Sequence, residues 1–266
     1  MRLKDKVAVI TGGGTGIGKA ISSAFASEGA TVVIAARTLS RLEEVAEGIK
    51  SRGGKAKAIQ TDISDEKQVR GMVAQTLDEY GQIDILINNC AAPPTSDLNV
   101  VDMILEDWNM VLTVNLTGTM LCTREVLKDM IARKSGSIVN VSSAAGMSGS
   151  PMRSAYCVSK WGIIGLTETL AIEVGEHNIR VNCISPAATN SERFRNAIRA
   201  RAQTIGLSYE ELMRRILSAY SLNRLIEPSE VAAAALFLAS DDSSAITGHN
   251  LVVNCGFHIM HTQEIH

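Results

Sequence analysis

The 266-residue chain lacks the features that mark several broad classes of protein. Aromatics are 4% of it, prolines number five, and no block of like charge exists: 26 Lys and Arg face 28 Asp and Glu for a formal charge of −2. Without a basic stripe or an acidic tail, the charge pattern points to no nucleic-acid partner. Its five cysteines, Cys90, Cys122, Cys157, Cys183 and Cys255, are an odd count of isolated residues with no CxxC pair. That argues against a disulfide framework or a thiolate metal site and fits a reducing compartment. The opening MRLKDKVAVITGGG holds only four apolar residues in a row, so no secretory leader is expected. The longest later apolar run, 231–239, is about half of a bilayer span and reads as a buried helix. The expectation is a soluble cytoplasmic globule with no membrane segment.

What the chain does hold is alternation. Short β-branched runs at 7–11, 31–35, 56–61, 83–87, 137–141, 180–184 and 251–253 take turns with stretches of helical period at 16–28, 40–52, 65–80, 108–133, 155–176 and 229–239. This is the pattern of an α/β fold, a doubly wound sheet of about seven parallel strands with helices on both faces. Asp65, with Gln68 three residues on, and Ser229 suit helix starts, while Gly53-Gly54 and Gly81 suit stops. No repeat or polar linker divides the chain, so residues 1–266 read as one domain. After the sixth strand, 187–227 is too long for an ordinary connection and is helical in composition; it reads as a helical flap over a site.

Directly after the first strand comes TGGGTGIG, residues 11–18. Glycines there permit positive φ and bring main-chain N–H groups to a pyrophosphate at a helix N-terminus. Gly12, Gly14, Thr15, Gly16, Ile17 and Gly18 are therefore the candidate cradle of a dinucleotide, although the same residues could form a plain turn. At the end of the second strand stand Arg37 and Thr38, with no carboxylate. A guanidinium fork suits a ribose 2′-phosphate, so NADP(H) is favoured over NAD(H); the bland alternative is a solvated Arg37, with Arg41 able to share its role.

Tyr156 and Lys160 stand at i and i+4 on a predicted helix, which puts both on one face. An ammonium beside a phenol favours the ionised form, and so readies it for proton transfer near neutrality. Thirteen residues upstream, Ser143 ends the strand IVNVSS on the rim that also carries the cradle. A carbonyl held there could accept hydrogen bonds from Ser143 and Tyr156 together. Alone, such a pair usually forms an ordinary helix face.

Taken together, TGGGTGIG, the NNCA of residues 88–91, Asn115, Ser143, Tyr156-x-x-x-Lys160 and Pro186 resemble, in order and spacing, the short-chain dehydrogenase/reductase family. The resemblance runs from residue 7 to residue 256 and implies a Rossmann-type fold. It implies that Tyr156 is the general acid and base and that Lys160 tunes it and holds the nicotinamide ribose. Ser143 would polarise the carbonyl, and Asn115 would anchor a water that completes a proton relay. It also implies that Asp62, Ile63 and Asn89 meet the adenine end, that Cys90 and Ala91 pass the coenzyme, and that Thr189 and Ser191, after Pro186, meet the carboxamide. A homotetramer is a further implication. Where the family has Asn-Asn-Ala-Gly, Pro-Gly and Asp-Gly-Gly, this chain has Asn88-Asn89-Cys90-Ala91, Pro186-Ala187 and Asn254-Cys255-Gly256. None of these departures removes a proton-transfer group.

The expected reaction is interconversion of a secondary alcohol and a ketone. Arg193, Arg195, Arg199, Arg201, Arg214 and Arg215 in the flap would suit a small-molecule substrate that is anionic or thioester-linked; a solvated helix face is the plainer reading. Cys255, His258 and His261 form no supported metal cluster, so no metal is expected. A non-catalytic dinucleotide-binding regulator is the main rival. A serine hydrolase is disfavoured because no G-x-S-x-G elbow is present.

Overall fold

A computed structural model describes residues 1–93 and 98–257. Among these, seven parallel strands form one sheet: β1 (Val7–Thr11), β2 (Thr31–Ala36), β3 (Lys55–Gln60), β4 (Ile85–Asn88), β5 (Gly136–Val141), β6 (Ile179–Pro186) and β7 (Asn250–Val253). Their order is β3-β2-β1-β4-β5-β6-β7. The helices are α1 (Gly16–Ser27), α2 (Leu39–Lys50), α3 (Glu66–Tyr80), α4 (Leu105–Leu112), α5 (Gly118–Arg133), α6 (Ser154–Val174), α7 (Glu192–Thr204), α8 (Tyr209–Leu217) and α9 (Pro228–Ala239).

Period-two alternation divides the strands between two apolar layers. Ala8 and Ile10 of β1 pack with Phe25 of α1, Leu42 of α2 and Leu236 of α9, whereas Val9 joins Met72 of α3, Val126 of α5 and Leu170 of α6. The expected 231–239 run is indeed buried, against α1. With both faces covered, the strands can be apolar throughout, which explains their uninterrupted β-branched runs. From β1 the chain winds out to β2 and β3, then returns to place β4 on the other side of β1. Outside the carboxyl ends of β1 and β4 the connections diverge, and that crevice is where open α/β sheets bind ligands. No described helix is long and apolar enough to cross a membrane.

Three local expectations fare differently in the fold. Asp65 caps α3, accepting from Lys67 N at 2.8 Å and Gln68 N at 3.3 Å, and Gly81 ends it at φ 77°. Ser229, however, is not a cap: α9 begins at Pro228, and Glu227 and Glu230 form a reciprocal capping box. A proline at the first helical position costs no donor, so the start moves forward. Nor is 108–133 one helix. A single π-helical turn, Thr113–Thr117, separates α4 from α5 because Asn115 spends its side chain on neighbouring segments. In 187–227, α7 and α8 share a small apolar cluster of Ile198, Ala202 and Leu212, apart from the two main layers.

Candidate active site

The glycine turn between β1 and α1 is shaped by contacts that a side chain would destroy. A Cβ on Gly18 would lie 2.2 Å from Gly12 O, and one on Gly13 2.0 Å from Ile34 Cγ2. Gly12 and Gly16 have φ values of 68° and 52°, the left-handed region. Gly16 differs from the others in having nothing within 4 Å of its missing Cβ, so its surface is open to an approaching ligand. Asn89 Nδ2 braces the turn by donating to Thr11 O at 3.0 Å and Gly12 O at 3.2 Å. Thr11 Oγ1 in turn accepts from Asn89 N at 3.1 Å and Cys90 N at 3.2 Å, tying β1 to the loop after β4. Burial pushes the Cys90 thiol up, so it is neutral at physiological pH.

Arg37 and Thr38 are exposed just beyond β2. Gln60 Nε2 donates to Arg37 O at 2.9 Å, which fixes the main chain and leaves the guanidinium clear. Asp62 holds a tight turn, with Oδ1 accepting from Ser64 N at 2.9 Å and Ser64 Oγ at 2.6 Å. The side chain of Ile63 is buried against Gly118, so only its main chain is left for a ligand.

Cross-links between the end of β5 and the start of α6 bring the candidate acid–base residues together. Ser142 Oγ donates to Lys160 O at 2.8 Å, and Lys160 Nζ donates to Val141 O at 2.8 Å. Gly146 lets the connecting turn close on α6, since a Cβ there would sit 2.4 Å from Ser142 Oγ. Ser143 Oγ accepts from Ala145 N at 3.2 Å, and its own O–H remains to donate. Lys160 Nζ is 5.8 Å from the centre of the Tyr156 ring. Asn115 Oδ1 accepts from Ala92 N at 2.7 Å, while its Nδ2 donates to Ser159 Oγ at 3.0 Å. Ser159 Oγ completes the chain by donating to Tyr156 O at 2.7 Å.

Lys160 is only 3% exposed, and among the described residues its ammonium meets one acceptor and no carboxylate. Taking an ammonium out of water costs several kcal/mol. One charge-assisted hydrogen bond offsets about 1.5–3 kcal/mol. Folding alone therefore does not account for this lysine, and two of its three N–H donors are left for a polar ligand. Together with the open surface at Gly16, this donor set fits a dinucleotide: phosphates at the glycine turn and ribose hydroxyls at Lys160.

At the far end of the rim, Pro186 closes β6, Thr189 Oγ1 donates to Ala187 O at 3.4 Å, and Ser191 caps α7 by accepting from Phe194 N at 3.2 Å. Most of the arginines in α7 and α8 have partners. Arg195 donates to Asn190 Oδ1 at 2.5 Å, Arg199 to Asn196 Oδ1 at 2.8 Å, and both Arg214 and Arg215 bind Glu211. No metal-binding cluster occurs among the described residues, and His258 and His261 lie outside them.

A family model described as "Enoyl-(Acyl carrier protein) reductase" matches residues 12–258. A 3-oxoacyl-[acyl-carrier-protein] reductase FabG of Thermotoga maritima is 39% identical over 259 residues, covering 96% of this chain and 99% of the relative. The chain belongs to the short-chain dehydrogenase/reductase family. As a family member it is an NAD(P)-dependent oxidoreductase acting on CH–OH and C=O groups. Solved members superimpose closely. An NAD+-bound xylitol dehydrogenase matches with a TM-score of 0.90 and 31% identity, over 95% of this chain and 99% of that one. A levodione reductase matches with a TM-score of 0.90 and 30% identity, over 96% and 98%.

Sequence reasoning passed over four residues that shape this family site. Gly13 had no signal, because its neighbour Ile34 is remote in sequence. Ser142 and Ser159 each stand beside a named residue, and the partners that give them a role, the Lys160 carbonyl for Ser142 and the Asn115 amide for Ser159, are brought near only by the fold. Arg153 was also missed: its guanidinium carbon lies 5.6 Å from the centre of the Tyr156 ring.

Proposed function

We propose that this short-chain dehydrogenase/reductase uses NADP(H) to interconvert a secondary alcohol and a ketone, with Tyr156 handling the proton. The observation that carries this reading is the buried, under-partnered Lys160 ammonium beside the phenol of Tyr156. A bound nicotinamide supplies or accepts hydride at C4. In reduction, Tyr156 O–H gives its proton to the carbonyl oxygen, while Ser143 O–H donates a hydrogen bond to the same atom. The Lys160 ammonium favours the negative charge left on the phenol, and Asn115 supports the path by which the proton is replaced. In oxidation the phenolate takes the proton from the alcohol.

Gly12, Gly14, Thr15, Gly16, Ile17 and Gly18 would hold the pyrophosphate, with Asp62, Ile63, Asn89, Cys90 and Ala91 along the adenosine side. Lys160 would hold the nicotinamide ribose, and Pro186, Thr189 and Ser191 the nicotinamide end. The preference for NADP(H) rests on Arg37 and Thr38, exposed where β2 ends, with no acid there to repel a 2′-phosphate. The relative from Thermotoga maritima is named for 3-oxoacyl groups on acyl carrier protein, and a thioester-linked 3-oxo group is one substrate this reading admits; a small ketoacid is another.

Coenzyme consumption with a panel of ketones tests the reading. Wild type is expected to favour NADPH, and Arg37→Ala to raise the KM for NADPH by roughly 10- to 100-fold with little change for NADH. Equal use of both coenzymes by wild type would contradict the NADP(H) assignment. Binding without consumption of either would favour the non-catalytic regulator.

A further inference from the structure

We propose that Arg153 binds an anionic group of the substrate, so that the preferred ketone carries a carboxylate or comparable oxyanion a few bonds from its carbonyl. The inference rests on the oxidoreductase reading above, and deepens it by naming a substrate class. Arg153 is the residue before α6, and its guanidinium carbon lies 5.6 Å from the centre of the Tyr156 ring. Any carbonyl that takes a proton from Tyr156 is therefore within a short chain of atoms of a guanidinium. Arg153 is exposed, and among the described residues it pairs with no carboxylate and makes no side-chain hydrogen bond. None of its five N–H donors is spent on a described residue.

Its placement is unfavourable for folding. The first turn of α6 has no acidic residue and no side-chain cap, and a cation there opposes the helix macrodipole. Ser154 Oγ, one residue on, is shielded from solvent and likewise lacks a partner among the described residues. The turn that carries the phenol thus holds a cation whose one described contact is the Tyr156 ring, and a shielded hydroxyl with no partner among the described residues. A cation set against the macrodipole and offset only by a ring contact is a broken local rule of the kind found at sites that meet a ligand.

Two other anions are poor matches. The coenzyme's pyrophosphate belongs at the glycine turn after β1, which is separated from β5 by β4 in the sheet. The phosphate of a phosphopantetheine carrier lies a long spacer from its thioester and cannot meet Arg153 while the adjacent keto group meets Tyr156. A small oxo acid fits both residues at once, and a bidentate guanidinium–carboxylate pair is the contact that would select it.

The test compares kcat/KM for 2-, 3- and 4-oxo acids, each against its methyl ester, in wild type, Arg153→Gln and Arg153→Lys. NADPH fluorescence verifies that every variant is folded and binds coenzyme. The acid-to-ester ratio is the quantity read, because any loss of the guanidinium's contact with the Tyr156 ring lowers both members of a pair and cancels. Wild type is expected to prefer at least one acid over its ester. Arg153→Gln is expected to cut that ratio by roughly 10- to 100-fold, and Arg153→Lys to retain part of it. A ratio within twofold of wild type in Arg153→Gln, or a wild-type preference for every ester, would overturn the inference while leaving the oxidoreductase reading intact. Turnover of no ketone with either coenzyme would overturn that reading, and this inference with it.

Discussion

Ser159 is fully buried, and its hydroxyl links the Asn115 amide to the main chain of Tyr156. Its hydroxyl bonds the main chain of Tyr156 and not the phenol oxygen, so its work is to fix where α6 holds Tyr156 relative to the loop after β4. One hydrogen bond of this kind is worth about 1 kcal/mol, or several-fold in rate if it is needed in the transition state. Ser159→Ala is therefore expected to lower kcat several-fold while the KM for coenzyme stays near wild type. Equal loss in both would mean that the site as a whole had shifted. At this scale the sequence was legible where chemistry repeats at fixed spacing: the glycines of the turn, Tyr156 and Lys160, and Ser143. It was silent where a residue's role depends on a neighbour from another element. Gly13 matters because of Ile34, and Ser142 because of the Lys160 carbonyl eighteen positions on.

Helices and strands were readable wherever their period was sustained, and their ends where side chains cap them. Exceptions arose where a tertiary hydrogen bond prevailed over local pattern. The interruption between α4 and α5 exists because Asn115 bonds to Ala92 and Ser159, contacts that leave no trace in the apolar spacing of 108–133. The start of α9 was misread because Ser229 looks like a cap while Glu227 and Glu230 act as one. Two hydrogen bonds from Arg224, each 2.7 Å, together with the donation from Glu227 N, hold the Glu230 carboxyl at about 2. A carboxyl depressed in the folded state stabilises fully above its ordinary value near 4.5, and that contribution is lost as pH falls through about 2. The pair is exposed and screened by solvent, so its contribution to Tm is small. Glu230→Gln keeps a capping group but not the charge. Its Tm deficit is expected at pH 7 and should narrow once pH drops below 4.5; a deficit independent of pH would assign the effect to packing.

Across the whole molecule, strand order does what no motif can. It brings the glycine turn after β1, the loop from Asn89 after β4, Ser142 and Ser143 just beyond β5 and the Pro186 end of β6 to one rim of a single parallel sheet. The alternation of runs was enough to infer that sheet, and the rim followed from its being parallel. Segment 187–227 was visible as an over-long connection of helical composition, but not the bounds of α7 and α8, which rest on a small cluster of their own. The central claim is that this rim holds a nicotinamide beside a phenol that delivers the proton. The most direct measurement is turnover and coenzyme binding by Tyr156→Phe side by side with wild type. Coenzyme binding should persist while kcat falls by roughly 10²- to 10⁴-fold, the range of a lost general acid. Full turnover by Tyr156→Phe, or a wild-type protein that binds no pyridine nucleotide, would contradict the account.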